Sequence, residues 1–346
     1  MTASICFFNN KGGVGKTTLA CNIAAFLAEE AKLNIVVVDA DPQCNATQLI
    51  LPEELTEQLY ESGKAPFGSL KQVLHPVSAG DASIDTSIAV ATAGTNRFGV
   101  AIVPGHPQIS LLEDTLSQRW TAFLGGDLGG ARVSNWNTQL VEHLSKNYDV
   151  IIYDVGPSLG ALNRSILIGV DYFVSPMGCD IFSLIGIKNI SEWVQRWRAD
   201  YQGCYQRCLQ LNASDIGKYT IKPSSEKMSR FLGYTVQQYI TKTIRDEKRA
   251  TGAYETILKQ IPGEVESSLG SVRAEGLVSS DMHIGDVPHM YSLVPLAQTA
   301  HVPIHKLTGK DGLAGGQYTQ QAAYLEFLTP LCASILHNLK KAGSLA

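Results

Sequence analysis

A short stretch near the N-terminus has the residue types that bind phosphate groups. It reads NNKGGVGKTT and covers residues 9–18. Its glycines allow the backbone to turn tightly and to point several N–H groups at an anion. Lys16 is placed to reach the outer phosphates of a nucleotide, and the hydroxyl of Thr17 can ligate Mg²⁺. The usual loop of this type begins with one more glycine, where this sequence has Asn10 followed by a second lysine, Lys11.

Carboxylates follow two apolar segments further along the chain. Asp39 and Asp41 come directly after a run of β-branched residues, and Asp154 ends the apolar stretch at residues 148–154. Open α/β sheets bind ligands at the carboxyl ends of their parallel strands, so these acids are expected near a ligand. The pattern at Asp154 matches a Walker B strand, whose aspartate holds the Mg²⁺ shell. Capping of the following turn is the alternative role for this residue.

The segments around these residues predict the elements that position them. Residues 3–8 are typical of a buried strand and residues 17–31 of a helix, and a strand, a glycine loop and a helix N-terminus together form an anion site. Strands and helices are predicted to alternate along the rest of the chain. The strands lie at 35–38, 98–105, 148–154, 171–180 and 231–240, and the helices begin at 109 or cover 182–198 and 317–341. This alternation predicts an α/β fold, a mostly parallel twisted sheet with helices on both faces.

Three other segments have weaker patterns. Residues 52–97, rich in Pro, Gly and Ser, are expected to form an elaborated connection with one short helix near 67–74. The glycine-rich residues 124–135 predict a loop, and residues 302–307 predict an edge strand or a loop.

Composition favours a cytoplasmic protein without a membrane span. The chain has 346 residues, of which 45% are hydrophobic and 17% charged. No apolar run reaches the ~18 residues that a membrane helix needs, and the N-terminus lacks the basic-then-apolar layout of a signal peptide. The seven cysteines are scattered, without a disulfide framework or paired metal-binding spacing, which is typical of small core residues in a reducing cytosol.

Charge is distributed unevenly along the chain. The net charge is −4, but residues 188–249 contain 12 Lys and Arg against 6 Asp and Glu, or +6, which leaves −10 on the remainder. A basic segment on an acidic body is typical of a nucleic-acid footprint. Solvated helix faces and loops would give the same count.

Three stretches together resemble one family. KGGVGKTT with its additional Lys11, DADPQCNAT and YDVIIYDVGPSLGALN resemble, in order and spacing, the deviant Walker A ATPases of the ParA/Soj/MinD group, and most closely its ParA/Soj partition branch. The resemblance implies a single P-loop ATPase domain over residues 1–346, with insertions at about 50–97, 118–134 and 199–228. It covers most of the chain outside those insertions.

The resemblance also implies roles for individual residues. ATP with Mg²⁺ would lie between the two protomers of a homodimer, and Lys11 would reach across to the partner's phosphates, as an arginine finger does elsewhere. Asp41 would orient the attacking water, so that Lys11, Lys16 and Asp41 form the catalytic set. Asp39 would lie close to the Mg²⁺ shell, which Thr17 and Asp154 complete. The expected nucleotide-binding residues are Gly12, Gly13, Val14, Gly15, Lys16, Thr17, Thr18 and Gln237.

The sequence departs from the family pattern at several positions. Cys44 stands where the family usually has Gly, and Asp180 where a Glu is usual. Residues 287–303 lack an arginine that some members use for DNA. A DNA contact would then shift to basic side chains in and near the third insertion, namely Arg196, Arg198, Arg207, Lys218, Lys222, Lys227 and Arg230.

The leading functional hypothesis is an ATPase that dimerises with ATP, binds DNA non-specifically and positions a cargo, with an adaptor protein that stimulates hydrolysis. The phosphate loop begins at residue 9, so no helix-turn-helix domain is expected ahead of it. Alternatives are a regulatory or defence ATPase whose ATP state is read by a protein partner, and a MinD-type membrane-surface ATPase. A small-molecule enzyme or metallochaperone on the same fold is a further alternative. The last residues carry only Lys340 and Lys341 and few apolar side chains, which disfavours the membrane alternative.

Overall fold

A sheet of seven parallel strands forms the centre of the structure. The computed structural model describes residues 2–239, 241–244, 247–250, 252–290 and 292–345. The strands of the sheet are β1 (Ala3–Phe7), β2 (Ile35–Ala40), β3 (Ala101–Val103), β4 (Val150–Val155), β5 (Tyr172–Gly178), β6 (Arg230–Tyr239) and β9 (His283–Pro288). Their order is β3–β2–β4–β1–β5–β6–β9, and each neighbouring pair is parallel. A separate antiparallel hairpin consists of β7 (Thr241–Ile244) and β8 (Glu247–Ala250). The predicted α/β fold class is confirmed.

Helices cover both faces of the sheet. They are α1 (Lys16–Glu30), α2 (Asn45–Ile50), α3 (Glu53–Glu57), α4 (Leu70–Val73), α5 (His75–Ser78), α6 (Leu112–Leu124), α7 (Leu128–Ser134), α8 (Trp136–Leu144), α9 (Ala161–Gly169), α10 (Ile181–Leu211), α11 (Gly252–Leu269), α12 (Leu293–Ala300) and α13 (Gln317–Lys341). Short 3₁₀ turns and one π-helix, at Gln58–Ser62, join them. The terminal helix, α13, has the bounds 317–341 that the sequence predicts.

Alternate strand residues face two separate hydrophobic cores. In β1, Cys6 points to a core that it shares with α6, α8, α9 and α10, whereas Ile5 and Phe7 point to a core shared with α1 and α13. Because both faces are covered, the strands are apolar throughout, and β1, β2 and β4 are buried at every residue. The first residues of α1 and the last residues of β2 and β4 are thereby fixed at one edge of the sheet.

The prediction of a loop at 124–135 is wrong, because this segment contains α7. The side chain of Asp127 caps the helix by accepting the N–H of Gly130 at 2.6 Å. A Cβ atom added to Gly130 would lie 2.6 Å from the carbonyl oxygen of Arg119 in α6. Glycine here allows two helix backbones to approach closely, whereas the sequence pattern alone is typical of a turn.

Two further predictions need correction. Residues 302–307 form no strand: Ile304–Lys306 is a 3₁₀ turn, and the edge strand is β9, whose short pattern gave no clear signal. The connection 52–97 contains α3, the π-helix, α4 and α5 rather than one helix. Isolated helices of this length are unstable in water. Here they are stabilised by burial of apolar side chains of the connection, among them Phe67, Leu70 and Leu74.

The second and third predicted insertions pack against each other. Helix α10 continues well past residue 198, where the sequence pattern predicts its end. Its C-terminal part contacts α6 and the turn before α7, where the guanidinium of Arg207 donates to the carbonyl of Leu124 and Asn212 Nδ2 donates to the carbonyl of Gly126 at 3.2 Å. The arrangement of insertions within one domain stays a proposal from the sequence.

Among the described residues, no helix combines the length and the apolarity that crossing a membrane requires. All seven cysteines are buried and free.

The predicted strand over 231–240 ends at Tyr239 in the structure, and residue 240 lies outside the described part. Arg245 and Asp246 of the basic segment also lie outside it.

We expect Gly130→Ala to lower the free energy of unfolding, because the added methyl group would meet the backbone of α6. Overpacking of this kind costs about 1–3 kcal/mol. The matched control is Gly203→Ala, at an exposed position in the C-terminal third of α10, where no atom lies within 4 Å of an added Cβ. That change should stabilise the protein by about 0.5–1 kcal/mol. Chemical denaturation of both variants checks this, and equal gains in stability would contradict the close contact of α6 with α7.

Candidate functional site

The phosphate loop joins β1 to α1 in a conformation that requires glycine at two positions. Gly13 and Gly15 have φ angles of 73° and 72°, in the left-handed region. Gly15 also precedes α1 without a side-chain cap, which leaves the first N–H groups of the helix available to an anion. Asn9 holds the loop in place, because its Nδ2 donates to the carbonyl of Pro176 at 2.7 Å and its Oδ1 accepts the N–H of Lys11 at 2.9 Å.

Lys16 lies over this loop. Its Nζ donates to the carbonyl oxygen of Lys11 at 3.2 Å, and the side chain is buried. Burial lowers the pKa of Lys16, while the negative charges of Asp154 and Asp41 act in the opposite direction. A buried ammonium group that faces carboxylates and a set of N–H groups is suited to binding phosphate oxygens.

The side chain of Lys11 points away from the buried carboxylates, toward the start of α10. Its ammonium group forms an ion pair with Asp180, the residue that caps α10 by accepting the N–H of Ser183 at 3.0 Å. Burial alone would raise the pKa of Asp180, but its hydrogen bond and ion pair with Lys11 outweigh that and lower it. The side chain of Lys11 is 36% exposed. In this conformation the second lysine of the loop is therefore bound within its own protomer.

Asp39 and Asp154 lie side by side at the ends of β2 and β4, where they are partners in register. Both are fully buried. Asp39 accepts hydrogen bonds from Thr47 Oγ1 at 2.6 Å, from the N–H of Thr47 at 2.8 Å and from the N–H of Asp41 at 3.2 Å. Burial raises the pKa of Asp39 to about 6, against these bonds, and raises the pKa of Asp154 well above its usual range.

Asp154 has the features of a metal ligand. Among the described residues, neither of its carboxylate oxygens has a hydrogen-bond partner although both are buried. Mg²⁺ prefers oxygen ligands and is usually held by one or two carboxylates together with phosphate oxygens. The Thr17 hydroxyl, at the start of α1, is near enough to the Asp154 carboxylate to lower its pKa, against the effect of burial. The two groups therefore form an oxygen donor set that fits this ion.

Asp41 lies just outside this buried pair. Its Oδ1 accepts the N–H of Gln43 at 3.0 Å, and a Cβ atom added to Gly156 would be 3.1 Å from the same oxygen. The loop after β4 therefore passes directly beside Asp41. Cys44, which stands where the resembling family usually has Gly, has a φ angle of 54°. It therefore occupies the left-handed conformation that glycine adopts with less strain.

Gln237 lies on the other side of the loop, at the margin of a cavity of about 270 Å³. Its Oε1 would be 3.9 Å from a Cβ atom at Gly15, and its Nε2 donates to Thr235 Oγ1 at 3.1 Å. The remaining lining is mostly apolar and comes from α1, β9, α12 and α13, with Thr18, Leu19, Val287, Pro288, Val294 and Tyr324 among its members. A largely apolar cavity next to a phosphate loop is suited to the planar base of a nucleotide.

The basic side chains of the third insertion are only partly available to a ligand. Lys222 is half-buried, its Nζ donates to the carbonyl of Val170 at 3.0 Å, and burial lowers its pKa to about 8. Arg198 donates to the carbonyl of Ser229 at 3.3 Å, and Arg207 bonds Leu124 as described above. Arg196 remains 72% exposed and Lys227 is exposed. Lys222, predicted as a DNA contact, is thus engaged in internal structure.

Sequence reasoning missed Thr47, which connects two strand ends. Its hydroxyl donates to Asp39 and accepts the N–H of Gly105, after β3, at 2.8 Å. Asn163 was missed as well: its Nδ2 donates to the carbonyls of Gly156 and Ser158 at 2.7 and 2.8 Å. Both residues lie inside the stretches that carry the family resemblance, but their hydrogen bonds depend on distant residues and leave no local pattern.

Comparisons with known proteins identify the family and the fold of this chain. The sequence model of the AAA_31 family, described as an AAA domain, matches residues 2–204. The chromosome partitioning protein ParA of Myxococcus xanthus is 30% identical over 202 residues, which are 55% of this chain and 57% of that protein. The match thus spans little more than half of that relative.

Two solved structures have the same fold. Protein DIP2308 from Corynebacterium diphtheriae is 30% identical, with a TM-score of 0.75 over 98% of this chain and 99% of that one. A Cyanothece McdA variant in complex with ATP is 13% identical, with a TM-score of 0.62 over 100% of this chain and 97% of that one. At 13% identity the second likeness concerns the fold alone.

We expect Thr47→Val to destabilise the protein, because a side chain of the same shape would leave the N–H of Gly105 unpaired and remove one hydrogen bond from buried Asp39. Loss of such bonds costs about 1–3 kcal/mol. Thr47→Ser keeps the hydroxyl and is the matched control. The measurement is the unfolding free energy from denaturant titration, and equal stability of the Val and Ser variants would show that the hydroxyl does not connect these strand ends.

Proposed function

Because the chain belongs to the AAA_31 family, and with it to the ParA/Soj/MinD group of P-loop ATPases, we propose that it hydrolyses ATP with Mg²⁺ in a sandwich dimer. The observation that carries this proposal is the pair of lysines on one glycine loop. Lys16 is buried within the electrostatic reach of Asp154 and Asp41, whereas Lys11 is partly exposed, where a second protomer can reach it. These positions support a role for Lys16 at the nucleotide of its own protomer and a role for Lys11, once it leaves Asp180, at the nucleotide of a partner.

The site residues divide the chemistry among them. Lys16 and the N–H groups at the start of α1 would bind the phosphates, and Thr17 and Asp154 would hold Mg²⁺, with Asp39 as the neighbouring carboxylate. The ion, when bound, neutralises phosphate charge during transfer. Asp41 orients the attacking water and accepts its proton, and Lys11 of the opposite protomer stabilises the charge that develops on the transferred group. The cavity beside Gln237 receives the base.

The dimer is proposed to act as a DNA-dependent positioning device in the cytoplasm. The Myxococcus xanthus relative is a chromosome partitioning protein, and the Cyanothece McdA variant forms a complex with ATP. ATP-driven dimerisation would bring two basic segments together, which strengthens weak phosphate contacts through effective concentration. An adaptor protein would then stimulate hydrolysis and release the dimer from DNA.

A regulatory ATPase whose ATP state is read by a protein partner is the second candidate. It is favoured by the internal engagement of Lys222 and Arg207, which reduces the basic surface open to DNA. It is also favoured by the first insertion, whose Tyr60 hydroxyl donates to the carbonyl of Gly105 at 3.0 Å, next to Thr47. A partner bound to that insertion would be connected to the loops of the site through Tyr60 and Gly105.

The two lysines should be separable by mutation. Lys16→Ala should abolish tight Mg-ATP binding in calorimetry, because the phosphates lose their buried cation. Lys11→Ala should still bind ATP but fail to dimerise and to hydrolyse it, as followed by light scattering and phosphate release. Lys64→Ala, an exposed lysine of the first insertion, is the control and should behave as wild type. A Lys11→Ala protein that dimerises and turns over normally would remove the cross-dimer role.

DNA binding by the ATP-bound dimer can be tested separately from ATP hydrolysis. We expect ATP, but not ADP, to give binding to random duplex DNA, weakening steeply as salt rises because the affinity comes from counterion release. Charge reversal at Arg196 and Lys227, which leaves the engaged Lys222 and Arg207 intact, should abolish binding while ATP-dependent dimers still form. Reversal at the exposed Lys310 and Lys340 is the control. Wild-type dimers that bind no DNA at ~50 mM salt, where phosphate contacts are strong, would favour the second candidate.

A further inference from the structure

The loop between β4 and α9, residues 156–160, lies where it can set the geometry of the site. A Cβ atom at Gly156 would be 3.1 Å from Asp41 Oδ1, and a Cβ atom at Gly12 would be 3.9 Å from Pro157 Cγ. The loop is therefore in contact with Asp41 on one side and with the phosphate loop on the other. A shift of its backbone would move the space in which the outer phosphate and the attacking water must meet.

The far end of this loop is held by a residue from a different helix. Gly160 caps α9 without a side chain of its own, so the first N–H groups of α9 need an outside acceptor. Oε2 of Glu113, in the first turn of α6, accepts the N–H of Ala161 at 2.6 Å and that of Leu162 at 3.2 Å. A carboxylate at a helix N-terminus is also favoured by the helix dipole.

The chain is shaped to admit this carboxylate. A Cβ atom at Gly160 would lie 2.6 Å from Oε1 of Glu113, so any larger residue there would displace it. The start of the loop is held by Asn163, through the carbonyls of Gly156 and Ser158. Both ends of the five-residue loop are thus fixed by side chains, one from α9 itself and one from α6.

Glu113 also joins the loop to the opposite side of the site. Helix α6 follows β3 through Gly105, whose N–H donates to Thr47 Oγ1, which in turn donates to Asp39. The loop after β4 and the carboxylates after β2 are therefore connected through β3 and α6. Neither the family motifs nor the local sequence pattern assigns a role to this glutamate.

We propose that Glu113 is a positioning residue for ATP hydrolysis, which holds the Gly156–Gly160 loop against Asp41. This inference rests on the proposed ATPase function. Glu113 accepts backbone N–H groups at the end of the loop, so it would act through the loop backbone. Its loss should therefore lower the rate of the chemical step more than the affinity for ATP.

The test compares variants by turnover and by calorimetric ATP binding. Glu113→Ala should reduce kcat by roughly 10- to 100-fold, the loss expected when reacting groups are misplaced by an ångström, with ATP affinity and binding stoichiometry close to wild type. Glu113→Gln keeps an oxygen acceptor and should recover most of the turnover. Asp114→Ala, at the exposed neighbouring position of α6, is the control and should turn over as wild type.

A second variant reaches the same contact from the other side. Gly160→Ala displaces the carboxylate without removing it, so it should lower kcat as Glu113→Ala does, and the double variant should lose no more than either single variant. Additive losses, a kcat for Glu113→Ala within twofold of wild type, or a loss of ATP-binding stoichiometry that matches the loss of turnover would each overturn the inference. Absence of turnover in the wild type itself would instead reject the ATPase function and the inference with it.

Discussion

The burial of carboxylates at the ends of β2 and β4 is the constraint on which the rest of the site depends. Asp39 and Asp154 are fully buried and adjacent in register, Asp41 is close by, and Lys16 is the buried cation that faces them. Several acids against one ammonium group are unfavourable in a low-dielectric interior unless they take up protons or a further cation. Raised pKa values for Asp39 and Asp154 express the first outcome, and bound Mg²⁺ would supply the second.

The two buried carboxylates differ in their hydrogen bonds. Asp39 is satisfied by Thr47 and by the N–H of Asp41, so its position does not depend on a ligand. In the described part of the chain, neither carboxylate oxygen of Asp154 has a hydrogen bond of normal length and angle, although the nearby Thr17 hydroxyl lowers its pKa. Asp39 therefore holds the strand ends together by hydrogen bonds within the protein, whereas the buried charge of Asp154 would be balanced by the proposed Mg²⁺.

Local sequence predicted the parts of this arrangement that adjacent residues determine. The glycine loop, the apolar strands ending in Asp39 and Asp154 and the alternation of strands and helices follow from spacing and periodicity. The parts that were missed depend on distant contacts: α7 on the close approach of Gly130 to α6, and the engagement of Lys222 on the carbonyl of Val170. The hydrophobic pattern also did not predict β9, because this edge strand buries few of its side chains.

The ion pair of Lys11 with Asp180 bears on how two protomers would come together. Both side chains are more than a third exposed, and exposed ion pairs contribute roughly 0–1 kcal/mol to stability. Release of Lys11 from Asp180 would therefore cost little compared with the gain from meeting a triphosphate in a site closed to water. Because Asp180 also caps α10, a lysine that leaves it changes the charge at the start of the longest helix in the described structure. Nucleotide and partner would thus be sensed at the same helix end.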